Sequence, residues 1–131
     1  MIEILKSGVV AGMAVLGLAG ASGVAVADGV AAEAPYAQVA AEVQPDGTIV
    51  MQRGVKYVTR TAVGRYCVAV EDPGLNLAAT IPFAALAEGE GFARILRPSG
   101  PNCNGDLRSY SVSTYDENGV LLDGRFRVFV P

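Results

Sequence analysis

Turn-forming clusters break this chain at short intervals, and no long periodic segment survives between them. Pro45-Asp46-Gly47, Asp72-Pro73-Gly74, Pro98-Ser99-Gly100-Pro101, Asn104-Gly105 and Asn118-Gly119 are such clusters, with Gly54 and Gly64 as further breaks. Gly supplies positive φ, Pro pre-sets its own φ, and Asn and Asp bond their own backbone. The intervening runs are short and rich in Val, Ile, Thr, Tyr and Phe. That layout predicts antiparallel strands rather than helices.

Strands are expected over 36–43, 48–53, 55–61, 65–70, 92–97, 107–115 and 120–130. The first two pair through the Pro45-Asp46-Gly47 turn. Period-two alternation puts Tyr66, Val68 and Val70 on one face, with Arg65, Cys67 and Ala69 on the other. In the last strand Phe126, Val128 and Val130 share a face, opposite Arg125, Arg127 and Phe129. The stretch from Leu75 to Leu86 is uncharged but interrupted by Pro82, so it reads as an edge strand. Ala84 to Glu90 can form a single helical turn. The fold class that follows is all-β, an antiparallel β-sandwich, with an Ig-like arrangement or a small barrel as alternatives.

The N-terminal segment stands apart from this pattern. Lys6 precedes an apolar, Gly/Ala-rich run, and Ala25-Val26-Ala27 has the small-residue pattern of a signal-peptidase site. Residues 1–27 therefore read as a signal peptide cleaved after Ala27, 28–35 as a flexible lead-in, and 36–131 as a single β domain. The rival is a retained anchor, because 8–27 is uncharged and Gly8 and Gly12 stand at GxxxG spacing. An Ala/Gly-dominated span partitions weakly into lipid, which favours cleavage. The expected localisation is secreted or cell-envelope, with no membrane span left after processing. Two cysteines in an exported chain then predict a Cys67–Cys103 disulfide.

Composition narrows the chemistry. The chain has no His and no Trp, and its net charge is −3. Without His, Ser/His/Asp and Cys/His nucleophilic sites are excluded, as is a zinc site of the usual Cys/His type. The acidic balance makes a nucleic-acid partner an unfavoured reading. Acids at Glu71, Asp72, Glu88, Glu90, Asp116 and Glu117 gather in loops with Gly and Pro, where they read as turn formers. A calcium loop at Asp116-Glu117-Asn118-Gly119 lacks the alternating ligands of the known pattern. No catalytic, cofactor-binding or metal-binding residue is expected, and no cofactor.

Further residues carry a resemblance. They are Tyr36-Ala37-Gln38-Val39, Asp46-Gly47-Thr48, Gly54-Val55, Val58-Thr59-Arg60, Gly64-Arg65-Tyr66-Cys67-Val68, Thr114-Tyr115-Asp116 with Gly119 and Asp123, and the closing Phe126 to Pro131. Over nearly the whole mature chain this resembles a group of small exported β proteins of actinobacteria-type genomes. From Tyr36 to Val70 the order of motifs is also similar to a β module near the ends of phage tail-fibre proteins. The first likeness implies a fold and no reaction; the second implies a structural or adhesive role.

Two surfaces stand out. Leu75, Leu77, Ile81, Phe83 and Leu86 form a partner surface if they are exposed together. Arg53, Lys56, Arg60 and Arg65 lie in a stretch without acids and form an anionic-surface patch if they share a face. For both, packing and solvated strand edges are the competing reading. The aromatic residues Tyr57, Tyr66, Tyr110, Tyr115, Phe126 and Phe129 are expected in the core or in cross-strand pairs. The function expected is an exported, non-catalytic binding or surface-interaction domain engaging a protein or cell-envelope component. Alternatives are a self-assembling envelope component and a carboxylate-only hydrolase.

Overall fold

The computed structural model describes Ala25–Val26, residues 29–96 and residues 103–131. Ten strands are present among them: β1 (Ala25–Val26), β2 (Val30–Ala31), β3 (Val39–Val43), β4 (Ile49–Arg53), β5 (Val55–Ala62), β6 (Arg65–Val70), β7 (Phe83–Leu86), β8 (Phe92–Leu96), β9 (Ser109–Tyr115) and β10 (Phe126–Val130). The first sheet has the order β1-β5-β6-β9-β8, and the second β2-β4-β3-β10-β7. Every pairing among these strands is antiparallel except β2 with β4. The fold is all-β, two packed sheets with one disulfide.

The core follows from the alternation. β6 and β9 turn Tyr66, Val68, Tyr110 and Val112 inward, while β3 and β10 contribute Val39, Val43, Phe126 and Val128. Tyr66 and Phe126 meet across the two sheets with ring centroids 4.8 Å apart. Burying each such side chain contributes about 1.5–3 kcal/mol. The tyrosine hydroxyls stay satisfied: Tyr66 donates to the Pro45 carbonyl at 2.7 Å, and Tyr110 meets Thr80 Oγ1 at 2.7 Å.

Gly54 is the corner between the sheets. It links β4 in one to β5 in the other, with φ at 74°. A Cβ there would stand 2.4 Å from the Gln38 carbonyl oxygen, so only glycine fits.

Several expected elements differ. The stretch from Leu75 to Leu86 is not one edge strand. Asn76 accepts from the Ala78 N–H and opens a short 3-10 turn at Leu77–Ala79, and the chain re-extends only at Phe83. The helical turn expected over Ala84 to Glu90 is absent, since Ala84 and Leu86 lie in β7, which is the edge of the second sheet. The strand expected from 36 starts at Val39, because Tyr36 lies in a turn closed by Ala37 N–H to Ala34 O. The strand expected from 120 starts at Phe126, with only a bridge from Tyr115 to Leu121 before it. Val30–Ala31 runs beside β4, so part of the expected lead-in is tied to the second sheet. Residues 1–24, 27 and 28 lie outside the described residues, and with them most of the expected signal peptide. The expected turn at Pro98-Ser99-Gly100-Pro101 lies outside them too. No helix among the described residues is long and apolar enough to cross a membrane.

Candidate interaction surfaces

On the outer face of the second sheet, two cross-strand rows run from β4 to β7. One row is Met51, Glu42, Arg127 and Ala85; the next is Arg53, Ala40, Phe129 and Phe83. Residues directly opposed in a sheet point to the same side. Phe83, Phe129 and Met51 are exposed here at 57%, 43% and 37%. Ala40 is small and buried, so the larger side chains around it leave a shallow depression of about 250 Å³, lined by Met51, Phe129, Ala32 and Arg127.

Glu42 lies on this outward face, yet only 4% of it is exposed. Arg125 Nε donates to its Oε2 at 2.6 Å and Arg127 Nε to its Oε1 at 2.7 Å. The Arg127 hydrogen bond, with help from Arg125, holds the Glu42 carboxyl below its ordinary range in spite of burial. Arg127 itself stays largely in solvent. The face thus presents exposed aromatic and thioether groups beside guanidinium groups, and the Glu42 carboxylate is already neutralised.

A second carboxylate network closes one end of the sandwich. Arg60 Nε lies 3.1 Å from both Asp123 carboxylate oxygens, and the Gly64 N–H donates to Asp123 Oδ1 at 2.7 Å. Burial works against the Asp123 charge, but Arg60 and the Gly64 N–H outweigh it and the carboxyl is held below its usual range. Burial first, and then the Asp123 charge, push the Tyr66 hydroxyl up to about 12. An adjoining cleft of about 350 Å³ is lined by Leu86, Glu88, Glu90, Tyr115 and Asp123.

The structure separates the residues expected to form the partner surface. Leu77 is 1% exposed and belongs to the core, while Leu75 and Leu86 pack against it. Ile81 and Phe83 are exposed. No continuous apolar surface results, and Phe83 is grouped with Phe129 instead. Phe129 is accordingly a surface residue rather than a core one, because β10 turns it outward beside Arg127.

The expected anionic-surface patch is also dispersed. Arg53 lies on the outer face of the second sheet and donates to the Ala37 carbonyl. Arg60 is bound to Asp123, and Arg65 lies on the outer face of the first sheet. Lys56 lines a separate depression with Asp106 and Glu71. The loop acids hold turns: Asp72 accepts from the Gly74 N–H, Asp106 from the Arg108 N–H, and Asp116 from the Asn118 and Val120 N–H groups.

The disulfide joins Cys67 to Cys103, with their Cα atoms 5.3 Å apart. Cys67 is on the outward side of β6, so the bridge fastens the chain ahead of β9 over the first sheet. Sequence reasoning missed Glu42 and Asp123 as organising groups. The available signal for Glu42 was a lone acid between apolar residues in Val39-Ala40-Ala41-Glu42-Val43. In comparisons with family models, curated proteins and solved structures, nothing matches this chain.

Proposed function

We propose that this protein is an exported, non-catalytic binding domain whose partner docks on the outer face of the second sheet. One observation carries the reading: Met51, Phe83 and Phe129 are solvent-exposed on one sheet face, where Met51, Phe129 and Arg127 line a shallow depression and Phe83 stands opposite Phe129. Exposed aromatic and Met side chains beside Arg are the composition of protein-binding surfaces. A disulfide-stapled β scaffold suits an oxidising compartment. The partner is a protein or cell-envelope component able to cover apolar groups and pair with guanidinium groups.

The test is retention on isolated cell-envelope material. The wild-type chain is expected to co-sediment, and a Phe83→Ser/Phe129→Ser variant is expected to stay in the supernatant. Equal retention of both would refute the surface. Concentration-dependent oligomers in sedimentation, lost in the same variant, would instead make the partner a second copy and the protein a self-assembling component.

A further inference from the structure

The opposite side of the sandwich carries a different arrangement. On the outer face of the first sheet, Ser113 is the cross-strand partner of Arg65 on β6 and of Arg94 on β8. The three residues form one row across three adjacent strands. Their inward neighbours Tyr66 and Val112 are buried, whereas Arg65 and Arg94 are exposed. Two strand spacings put the arginine backbones about 10 Å apart. Both guanidinium groups can therefore reach one point above Ser113.

These two arginines differ from the others among the described residues. Arg53, Arg60, Arg108, Arg125 and Arg127 are each held by an oxygen of this chain. Neither Arg65 nor Arg94 is bound to such an oxygen among the described residues. The adjacent rows on this face carry no carboxylate: on one side stand Leu96, Ser111 and Cys67, and on the other Phe92 opposes Tyr115. The Phe92 and Tyr115 rings stack with centroids 4.7 Å apart. The Ser111 hydroxyl is buried with no hydrogen-bond partner among the described residues. The arginine row lies between this stack and the disulfide.

We propose that Arg65 and Arg94 form a two-arginine clamp for a tetrahedral oxyanion, a phosphate or sulfate group, seated over Ser113. A guanidinium presents paired N–H donors that match two oxygens of such a group. A tetrahedral anion has oxygens for a second guanidinium on its far side, whereas both oxygens of a planar carboxylate point to the same side and its far side is carbon. The clamp is independent of the surface on the second sheet, so either proposal can fail alone.

Nuclear magnetic resonance titration of the isotopically labelled, disulfide-bonded chain tests it, at constant ionic strength. Inorganic phosphate, inorganic sulfate, glucose 6-phosphate and acetate are the probes. Saturable shifts are expected at the Arg65 and Arg94 Nε–H groups and the Ser113 amide, with acetate at least tenfold weaker. Arg65→Gln/Arg94→Gln is expected to weaken binding at least tenfold, Arg65→Lys/Arg94→Lys less, and Lys56→Gln not at all. Tighter binding of glucose 6-phosphate than of phosphate would identify an esterified group as the ligand, and the reverse order a free anion. Shifts that never saturate, that spread equally over all arginines, or that persist in the Gln variant would overturn the clamp.

Discussion

Arg127 stands directly opposite Glu42 across the β3–β10 pair, and its Nε donates to Glu42 Oε1 at 2.7 Å. With Arg125 on the other oxygen, this carboxylate orders two cations on a solvent-facing sheet. The contact links the stability of the second sheet to the shape of its outer surface.

Acid should expose that link. The Glu42 carboxyl is lowered from 4.5, so the unfolded chain binds the proton more readily than the folded one. Its contribution is fully present above the unfolded value and is lost as pH falls below about 4.5 through the folded value. Asp123 is lowered in the same sense and adds to the acid limb. Glu42→Gln should cost about 1 kcal/mol at neutral pH, since both arginines remain partly solvated. Urea midpoints measured from pH 7 to pH 3 should fall less steeply in this variant than in the wild type.

The Tyr66 hydroxyl gives the opposite limb. Its folded value of about 12 exceeds the ordinary 10, so its contribution is complete below pH 10 and is lost as pH rises toward 12. Asp123→Asn removes the neighbouring charge and the ion pair with Arg60. Phenolate absorbance should then appear at lower pH than in the wild type, although burial still holds the hydroxyl above its ordinary value. An unchanged ultraviolet titration would show that Asp123 does not act on Tyr66.

The disulfide closes a separation of 36 residues. On the chain-entropy account this contributes about 4 kcal/mol. Cys67→Ser/Cys103→Ser should lower the urea midpoint accordingly, and intact mass should rise by two hydrogens only when the wild type is reduced. Two free thiols in protein isolated from its own compartment would contradict the assigned bridge.

Leu77 and Ile81 sit close in sequence and should behave differently. Leu77→Ala opens the core and should cost about 2–4 kcal/mol. Ile81→Ser removes an exposed side chain and should change stability by less than about 0.5 kcal/mol. Thermal unfolding of the two variants distinguishes a plugged core segment from a free apolar surface.

Which residues share a face of β6 and of β10 was legible from period-two spacing, whereas β8 turns Phe92 and Leu96 outward beside Arg94, which residue polarity does not announce. Tyr66, Phe126 and Val128 fall inward, while Arg65, Arg94 and Arg127 point outward, as strand geometry requires. The pairing of Cys67 with Cys103 was legible from their number. The segment from Leu75 to Leu86 was not, because its apolar run hides a local competition. Asn76 and Thr80 hydrogen-bond the nearby backbone and favour a 3-10 turn over an extended strand. The arginine patch was misplaced for a topological reason: Gly54 sends Arg53 to one sheet and Lys56 to the other. The Glu42 site joins residues more than eighty positions apart, and no local pattern announces such a contact.

Hydroxyl-radical footprinting tests the central claim most directly, since Met and Phe side chains report their own exposure. Met51, Phe83 and Phe129 should be oxidised in the free protein and protected when it is bound to envelope material, while Phe92 and Leu107 stay reactive. Unchanged oxidation of all three in the bound state, or protection centred on Phe92, would contradict a partner surface on the second sheet.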